Sequence, residues 1–184
     1  MTLSAPEASL VELPHALRGD AVEVFVSAYR RDAEFAQAFW DGEPAPADAL
    51  FRIFRAAYAQ QVLLHPPLAI VDRGVVVAVA NHVLPSRRGS LNPAFHLSAH
   101  LAGLALLLLP WGVRRRMPSE QGRGHARTLL EAIRERSRSD PLSTGVAIST
   151  YSESNVRLYE RLGFEVTGQS RRDSTPVWAL FAAH

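Results

Sequence analysis

A short loop ahead of residue 126 has the composition of a phosphate-binding site. It reads Pro118-Ser-Glu-Gln-Gly-Arg-Gly-His-Ala126 and precedes a stretch with helical periodicity. Gly122 and Gly124 allow the backbone to approach a ligand closely, and the first N–H groups of a helix are free to donate. The helix adds about half a positive charge at that end. Such a terminus can bind phosphate without a lysine. The same residues also fit a simple glycine turn that precedes a solvent-exposed helix and binds no ligand.

Positive charge is concentrated around this loop. The chain has 20 basic residues, all arginine, against 18 acidic ones. Residues 114–138 hold eight arginines and three glutamates, a local charge of +5, whereas residues 1–113 amount to −2 and residues 139–184 to −1. The sequence pI of about 9.5 follows from the absence of lysine and cysteine. We therefore expect no nucleic-acid partner.

Missing residue types exclude several kinds of chemistry. Without cysteine there is no thiol catalysis, iron–sulfur cluster or disulfide, and without lysine there is no Schiff base or Walker loop. A Rossmann fingerprint needs a third glycine. His96 and His100 share a helix face that suits a metal, but no third ligand is evident, so we expect no metal site.

A second motif follows the loop, within Asn155-Val-Arg-Leu-Tyr-Glu-Arg-Leu-Gly-Phe164. Asn155 and Tyr159 are four residues apart and therefore lie on one face of a helix. We expect Gly163 to end that helix in the left-handed conformation, with Ser154 or Asn155 as its N-cap. On these residues alone, Asn155 is also explained as a cap and Tyr159 as an aromatic residue packed on a sheet.

The elements that must position these residues alternate between helix and strand. The predicted strands are Ser9–Leu13, Leu68–Val71, Val75–Val83, Gly145–Thr150, Phe164–Val166 and Val177–Phe181. The predicted helices are Leu17–Tyr29, Phe35–Trp40, Asp48–Leu64, Gly122–Arg138 and Asn155–Leu162. Phe95–Leu109 is apolar and predicted helical, although Leu104–Leu109 also fits a buried strand. This alternation predicts an α/β or α+β domain.

Together, the two motifs resemble those of the GNAT acetyltransferase superfamily. Residues 121–126 fit its Gln/Arg-x-x-Gly-x-Gly/Ala acetyl-CoA loop, and residues 155–164 fit its Asn-x-x-x-Tyr-x-x-x-Gly-Phe motif. The puromycin N-acetyltransferase-like branch is the most similar, because there a Tyr-Glu-Arg-Leu-Gly-Phe segment precedes a final strand bearing Trp, here Trp178. The specific similarity covers about residues 117–182.

The resemblance implies a single N-acetyltransferase domain over residues 1–184. Its fold would be a mixed, twisted central sheet flanked by helices and splayed where acetyl-CoA binds. Asn155 would contact the pantetheine arm or a nearby water, and Tyr159 would protonate the departing CoA thiolate, which suits a phenol of reference pKa about 10. The pyrophosphate would be held by backbone amides of Gln121, Gly122, Arg123, Gly124, His125 and Ala126.

The segment before Pro118 departs from the family pattern. Arg116 stands where the family usually has the valine of Val-x-Pro, so the fourth strand is expected to be atypical: missing, shortened or displaced to Leu104–Leu109. In the family that strand often supplies the base that deprotonates the amine. The candidate bases are Glu120, Glu153 and His125, and the spacing of the sequence places none of them at the site.

These features predict acetyl-CoA-dependent transfer of an acetyl group directly to a small-molecule amine, by a cytoplasmic bacterial enzyme for which a homodimer is possible. The alternative is a catalytically impaired GNAT-like module that binds acyl-CoA or regulates. Trp40, Phe51, Phe54 and Tyr58 could line an acceptor pocket, although aromatic residues at helical spacing are also typical of a core.

Membrane association is a third interpretation. Ser90–Val113 carries no formal charge and is followed by three arginines, but its strongly apolar part is too short to span a bilayer. The N-terminus lacks the basic start and apolar stretch of a signal peptide. We therefore expect no stable membrane insertion, while Leu101–Val113 and the arginines could still hold the protein at a membrane surface.

Overall fold

Helices and strands alternate along the chain, as the sequence predicts. The computed structural model describes residues 8–30, 32–88, 124–172 and 175–184. The elements of the first half are β1 (Ser9–Glu12), a 3-10 turn (His15–Leu17), α1 (Arg18–Tyr29), α2 (Ala33–Phe39), α3 (Ala47–Leu64), β2 (Leu68–Asp72), β3 (Val75–Ala80) and α4 (Pro85–Arg88). Those of the second half are α5 (His125–Arg138), β4 (Gly145–Thr150), α6 (Glu153–Arg161), β5 (Glu165–Arg172) and β6 (Thr175–Ala183).

The first sheet is antiparallel, with strand order β1-β2-β3. A two-residue turn joins β2 to β3, and both of its residues are left-handed, with φ of 50° at Arg73 and 77° at Gly74. Two successive positive φ values are typical of the type I′ turn, whose twist matches that of the flanking strands. The hairpin predicted around Asp72-Arg73-Gly74 is confirmed.

The second sheet is also antiparallel, with strand order β4-β6-β5. Its last two strands are longer than predicted, because the expected polar loop between Val166 and Val177 is largely a ladder that pairs as far as Arg172 with Thr175. Residues 165–171 are all exposed on this edge strand. Since the ladder is made by backbone groups, polar side chains that face water do not prevent it, and the hydrophobic pattern did not detect it.

Strand β2 lies between the two hydrophobic cores. Ala69 belongs to the first core, with apolar residues of α1 and α3. Leu68 and Ile70 point to the opposite face, into a second core that also contains residues of α5, β4, α6 and β6. Successive side chains of a strand alternate between faces, so β2 joins the N-terminal helices to the C-terminal half.

The starts of α5 and α6, which carry the two motifs, differ from the prediction. Helix α5 begins at His125 rather than Gly122, because Gly124 is left-handed (φ 80°) and so cannot continue a right-handed helix. Helix α6 begins at Glu153, with Ser152 at the N-cap position in extended conformation, so the predicted caps Ser154 and Asn155 lie inside the helix. Gly163 ends the segment with φ 80°, as predicted.

Several predictions concern residues outside the described ranges. They include the apolar segment Phe95–Leu109, the histidine pair His96 and His100, the atypical fourth strand, and Gln121, Gly122 and Arg123 of the loop. In the ranges that the structure describes, no helix is long and apolar enough to cross a membrane. The same ranges contain no group of three or more His, Cys, Asp or Glu that could hold a metal ion.

Candidate functional site

The start of α5 has no side-chain cap within the described ranges, and Gly124 at the N-cap is exposed. Among the described residues, a Cβ at Gly124 would meet nothing within 4 Å. The left-handed φ is therefore what favours glycine there. Nε2 of His125 is buried and has no hydrogen-bond partner in the described part of the chain. Backbone N–H groups of this turn therefore remain as donors for an anion.

Two arginines of α5 serve the fold rather than a ligand. Arg134 donates to the carbonyl oxygen of Leu162 at 2.7 Å, and its guanidinium carbon lies 4.7 Å from the ring centroid of Phe164. Arg136 forms an ion pair with Glu12 of β1 at 2.7 Å. Part of the local positive charge therefore belongs to arginines that hold α5 to its neighbours. Arg127, in the first turn of α5, is exposed.

Asn155 is held by the end of β4. Its Nδ2 donates to Oγ1 of Thr150 at 3.4 Å, and the same hydroxyl accepts from the backbone N–H of Ser152 at 3.2 Å. Thr150 is buried, whereas Asn155 is half-buried. Within the described ranges, Oδ1 of Asn155 accepts no hydrogen bond. This oxygen can therefore accept a hydrogen bond from an N–H of a ligand.

Tyr159 is positioned by the turn that ends α6. Its carbonyl oxygen accepts from the backbone N–H groups of Leu162 (2.9 Å) and Phe164 (3.0 Å), as Gly163 folds the chain back. The Tyr159 and Phe164 rings lie 5.9 Å apart at 59°. Burial raises the pKa of the half-buried Tyr159 phenol above its ordinary value of 10. The hydroxyl therefore stays protonated at neutral pH, as a proton donor must.

The structure brings part of the predicted site onto one core. Asn155 and Tyr159 are one helical turn apart on α6, and Tyr159 packs against the second core. Leu129, one turn after His125 on α5, lies in the same core as Val156 of α6. The described part of the loop, Gly124 to Ala126, therefore begins a helix that packs against the core beneath Tyr159.

One of the candidate bases, Glu153, forms an ion pair on the surface of α6. Glu153 is an exposed residue whose carboxylate pairs with Arg157 at 3.2 Å on the surface of α6. His125 lies in the first turn of α5. Glu120 lies outside the described residues.

Sequence reasoning missed Tyr29, at the end of α1. Burial raises the pKa of the Tyr29 phenol, and electrostatic interactions of its phenolate with ionised Tyr159, Asp32 and Tyr151 raise it further. Tyr29 therefore lies within electrostatic range of the candidate proton donor, although 130 positions separate them in the chain. No local signal marks this proximity, since it depends on how the N-terminal helices pack over the second sheet.

Comparison with known proteins finds a family match over part of the chain. A family model described as an acetyltransferase (GNAT) domain matches residues 117–176, which include the described loop residues, Asn155 and Tyr159. The segment that carries both motifs is therefore similar to a GNAT acetyltransferase domain. The structure is similar to a solved histone acetyltransferase HPA2 and related acetyltransferase from Corynebacterium glutamicum, with a TM-score of 0.65, 19% identity, and coverage of 96% of this chain and 97% of that one. No curated protein sequence matches the chain.

At that identity the structural likeness establishes the fold of the GNAT domain and nothing finer. The predicted GNAT-like α/β fold is confirmed, with the described strands divided between two sheets. The roles of individual site residues, the cofactor and the branch of the family stay predictions.

Proposed function

We propose that this protein is an acetyl-CoA-dependent N-acetyltransferase that transfers acetyl directly to a small-molecule amine. The observation that carries the proposal is the placement of Tyr159. The Tyr159 phenol, whose pKa is raised by burial, lies one helical turn from Asn155. It packs against the second core, to which α5 also contributes. The uncapped start of α5 supplies amides for the pyrophosphate, in the segment that matches the family.

The residues of this chain that would hold acetyl-CoA fit its chemistry. The exposed Gly124 to Ala126 turn offers backbone N–H groups to phosphate, and the amide oxygen of Asn155 suits an N–H of the pantetheine arm. Acetyl-CoA supplies a thioester, whose carbonyl carbon is open to attack by an amine. We expect Gln121, Gly122 and Arg123 to complete the phosphate loop.

In this mechanism the acceptor nitrogen bonds to the acetyl carbon and the C–S bond breaks. Tyr159 gives its phenolic proton to the departing thiolate, and the nitrogen loses one proton to water. The phenolate then regains a proton from solvent, so the products are the N-acetyl amine and CoA thiol. Because a free amine of pKa about 10 is mostly protonated at pH 7, the rate should rise with pH as the neutral amine accumulates.

Two wider statements follow as parts of the same proposal. The whole chain, residues 1–184, forms one GNAT domain, and the coverage of 96% by a solved acetyltransferase of nearly equal length supports this. The protein belongs to the puromycin N-acetyltransferase-like branch. Its Trp178 on the final strand, paired in register with Thr150 and Gln169, supports that assignment.

Two measurements test the function separately. Acetyl-CoA at millimolar concentration should raise the melting temperature, because a ligand that binds only the folded state stabilises it. Release of CoA thiol should then be followed with aliphatic, aromatic and aminoacyl amines. Absence of a melting shift would contradict acetyl-CoA binding. A shift without turnover of any amine would instead favour a catalytically impaired module.

A further inference from the structure

Arg134 joins helix α5 to the turn that ends α6. Its Nη2 donates to the carbonyl oxygen of Leu162 at 2.7 Å, although 28 positions separate the two residues. Leu162 stands at the C-cap of α6, where the last carbonyl groups of a helix lack intrahelical donors. A charged donor satisfies one of these groups, and such a bond is about twice as strong as a neutral one. The end of α6 is therefore fixed by a side chain of another element.

The same guanidinium covers a ring that neighbours Tyr159. Its Cζ lies 4.7 Å from the centroid of the Phe164 ring, inside the range of about 6 Å in which a cation is attracted to an aromatic face. Phe164 is only 3% exposed. The ring of Tyr159 lies beside it, with a centroid distance of 5.9 Å and an angle of 59°. Arg134, Phe164 and Tyr159 thus form a series of contacts from α5 to the proposed proton donor.

The backbone of the turn provides a second connection. The carbonyl oxygen of Tyr159 accepts from the N–H groups of Leu162 and Phe164, at 2.9 and 3.0 Å. Between these two residues Gly163 is left-handed, with φ of 80°, and a Cβ there would lie 3.5 Å from Nη2 of Arg134. Arg134 therefore meets the turn at the residues that are bonded to the Tyr159 backbone. A shift of this turn would move both the ring contact and the backbone bonds of Tyr159.

Arg134 differs in its partners from two other arginines of α5. Arg136 pairs with Glu12 and Arg138 with Glu135, so both bind a carboxylate. Among the described residues, Arg134 instead contacts a carbonyl oxygen and an aromatic face. Both contacts use the planar guanidinium, which donates in its plane and stacks with its face. Together they fix the direction of the turn as well as its distance from α5.

We propose that Arg134 is a positioning residue for the proton donor, and that it holds the turn after α6 so that the Tyr159 hydroxyl meets the departing thiolate. The inference rests on the proposed function, because it assigns Arg134 to the step that Tyr159 performs. Proton transfer needs hydrogen-bond reach, and a misplacement of about 1 Å costs about a hundredfold in rate. Arg134 acts through Phe164 and the turn, so its loss should lower kcat and leave acetyl-CoA binding nearly unchanged.

The kinetics of Arg134→Met test this proposal. Methionine keeps an unbranched side chain against Phe164 but removes the cation and the donor to Leu162. With an amine that the wild-type protein acetylates, we expect kcat to fall by about ten- to a hundredfold and KM for acetyl-CoA to change by less than about twofold. Arg134→Lys, which keeps a cation, should recover part of kcat. Arg138→Met, on the exposed face of the same helix, is the matched control and should keep kcat.

A double variant separates positioning from a general structural effect. In a Tyr159→Phe background the proton donor is absent. Arg134→Met should then lower kcat little further, because the effects of residues that act through one group are not additive. All rates are measured well below the melting temperature of the least stable variant. If melting shows that Arg134→Met does not fold, Arg134→Gln, which keeps a donor for the carbonyl oxygen of Leu162, takes its place.

NMR of isotope-labelled tyrosine rings gives a readout that needs no turnover. The chain has four tyrosines, and Tyr159→Phe identifies the signal of Tyr159. We expect Arg134→Met to shift or broaden that signal, because the Phe164 ring beside it loses its cation and the turn loses its bond. The signal of Tyr58, in the first core, should stay in place. Arg138→Met should leave both signals unchanged.

The outcomes are distinct from those of the proposed function. A wild-type kcat in Arg134→Met, a loss of kcat by the same factor in the Tyr159→Phe background, or an unmoved Tyr159 signal would overturn the role of Arg134. Failure of the proposed function would appear in the wild-type protein itself, as absent stabilisation by acetyl-CoA or absent thiol release. In that case the NMR comparison still decides whether Arg134 holds the Tyr159 ring in place.

Discussion

The imidazole rings of His65 and His82 stack with their centroids 5.2 Å apart and their planes 29° from parallel. His65 ends α3 and His82 follows β3, so the pair joins the helical layer to the first sheet. Nε2 of Gln61 donates to the His82 carbonyl oxygen at 2.5 Å, which fixes the backbone there. Arg136 of α5 approaches Nε2 of His82 at 3.5 Å, so α5 also meets the pair.

This pair should make stability depend on acid pH. Burial, followed by the charges of Arg136 and His65, lowers the pKa of His82 from 6.5 to about 4, against a smaller opposite effect of Glu12. The unfolded state then binds more protons than the folded state between these values, so stability falls as pH drops from about 6.5 to 4. A shift of this size corresponds to at most about 3 kcal/mol.

Urea unfolding between pH 7.5 and 4 measures this dependence. His82→Gln removes the titrating ring and should flatten the slope between pH 6.5 and 4, even though it lowers stability at pH 7. The control is His15→Gln, since His15 is exposed at the start of the 3-10 turn. A slope that His82→Gln leaves unchanged would mean that other groups cause the acid sensitivity.

Tyr159→Phe tests the proton donor. The ring and its contact with Phe164 remain, so we expect kcat to fall by about 10²- to 10³-fold with little change in KM for acetyl-CoA or in melting temperature. Tyr58→Phe removes the same hydroxyl from a tyrosine of the first core and should leave kcat nearly unchanged. A parallel loss of kcat and acetyl-CoA affinity in Tyr159→Phe would identify a structural role.

Gly124→Ala tests the start of α5. The strain of a left-handed alanine should lower stability by about 1 kcal/mol and shift the first turn, weakening acetyl-CoA binding by about tenfold. Gly74→Ala is a close match, because Gly74 has φ 77° and, like Gly124, no atom of the described residues within 4 Å of its missing Cβ. It should cost similar stability and leave acetyl-CoA affinity intact. Equal affinity in the two variants would argue against a ligand at Gly124.

Arg134→Ala should destabilise the protein by about 1–2 kcal/mol, since it removes the bond to Leu162 and the cation over Phe164. Arg138→Ala is the comparison, because Arg138 pairs with Glu135 on the exposed face of α5 and should change stability by less than about 0.5 kcal/mol. Thermal and urea unfolding measure both. Similar losses in the two variants would show that the contact with Leu162 adds little.

Local chemistry explains which elements were predicted well. The hairpin at Arg73-Gly74 needs only β-branched runs and a turn that accepts positive φ. Helix α5 and Gly163 follow from periodicity and the left-handed stop. The length of strand β5 was predicted too short, because its exposed polar residues do not alternate with apolar ones and so do not indicate pairing with β6.

Local sequence predicts the two motifs and the amphipathic helices that carry them, and the segment with both motifs matches a GNAT domain model. Each of these depends on residues less than a few turns apart. Tertiary packing is what brings Tyr29 within electrostatic range of Tyr159 and stacks His65 on His82. The physical reason is that these groups meet only where separate elements pack, and the alternating faces of β2 determine which elements those are.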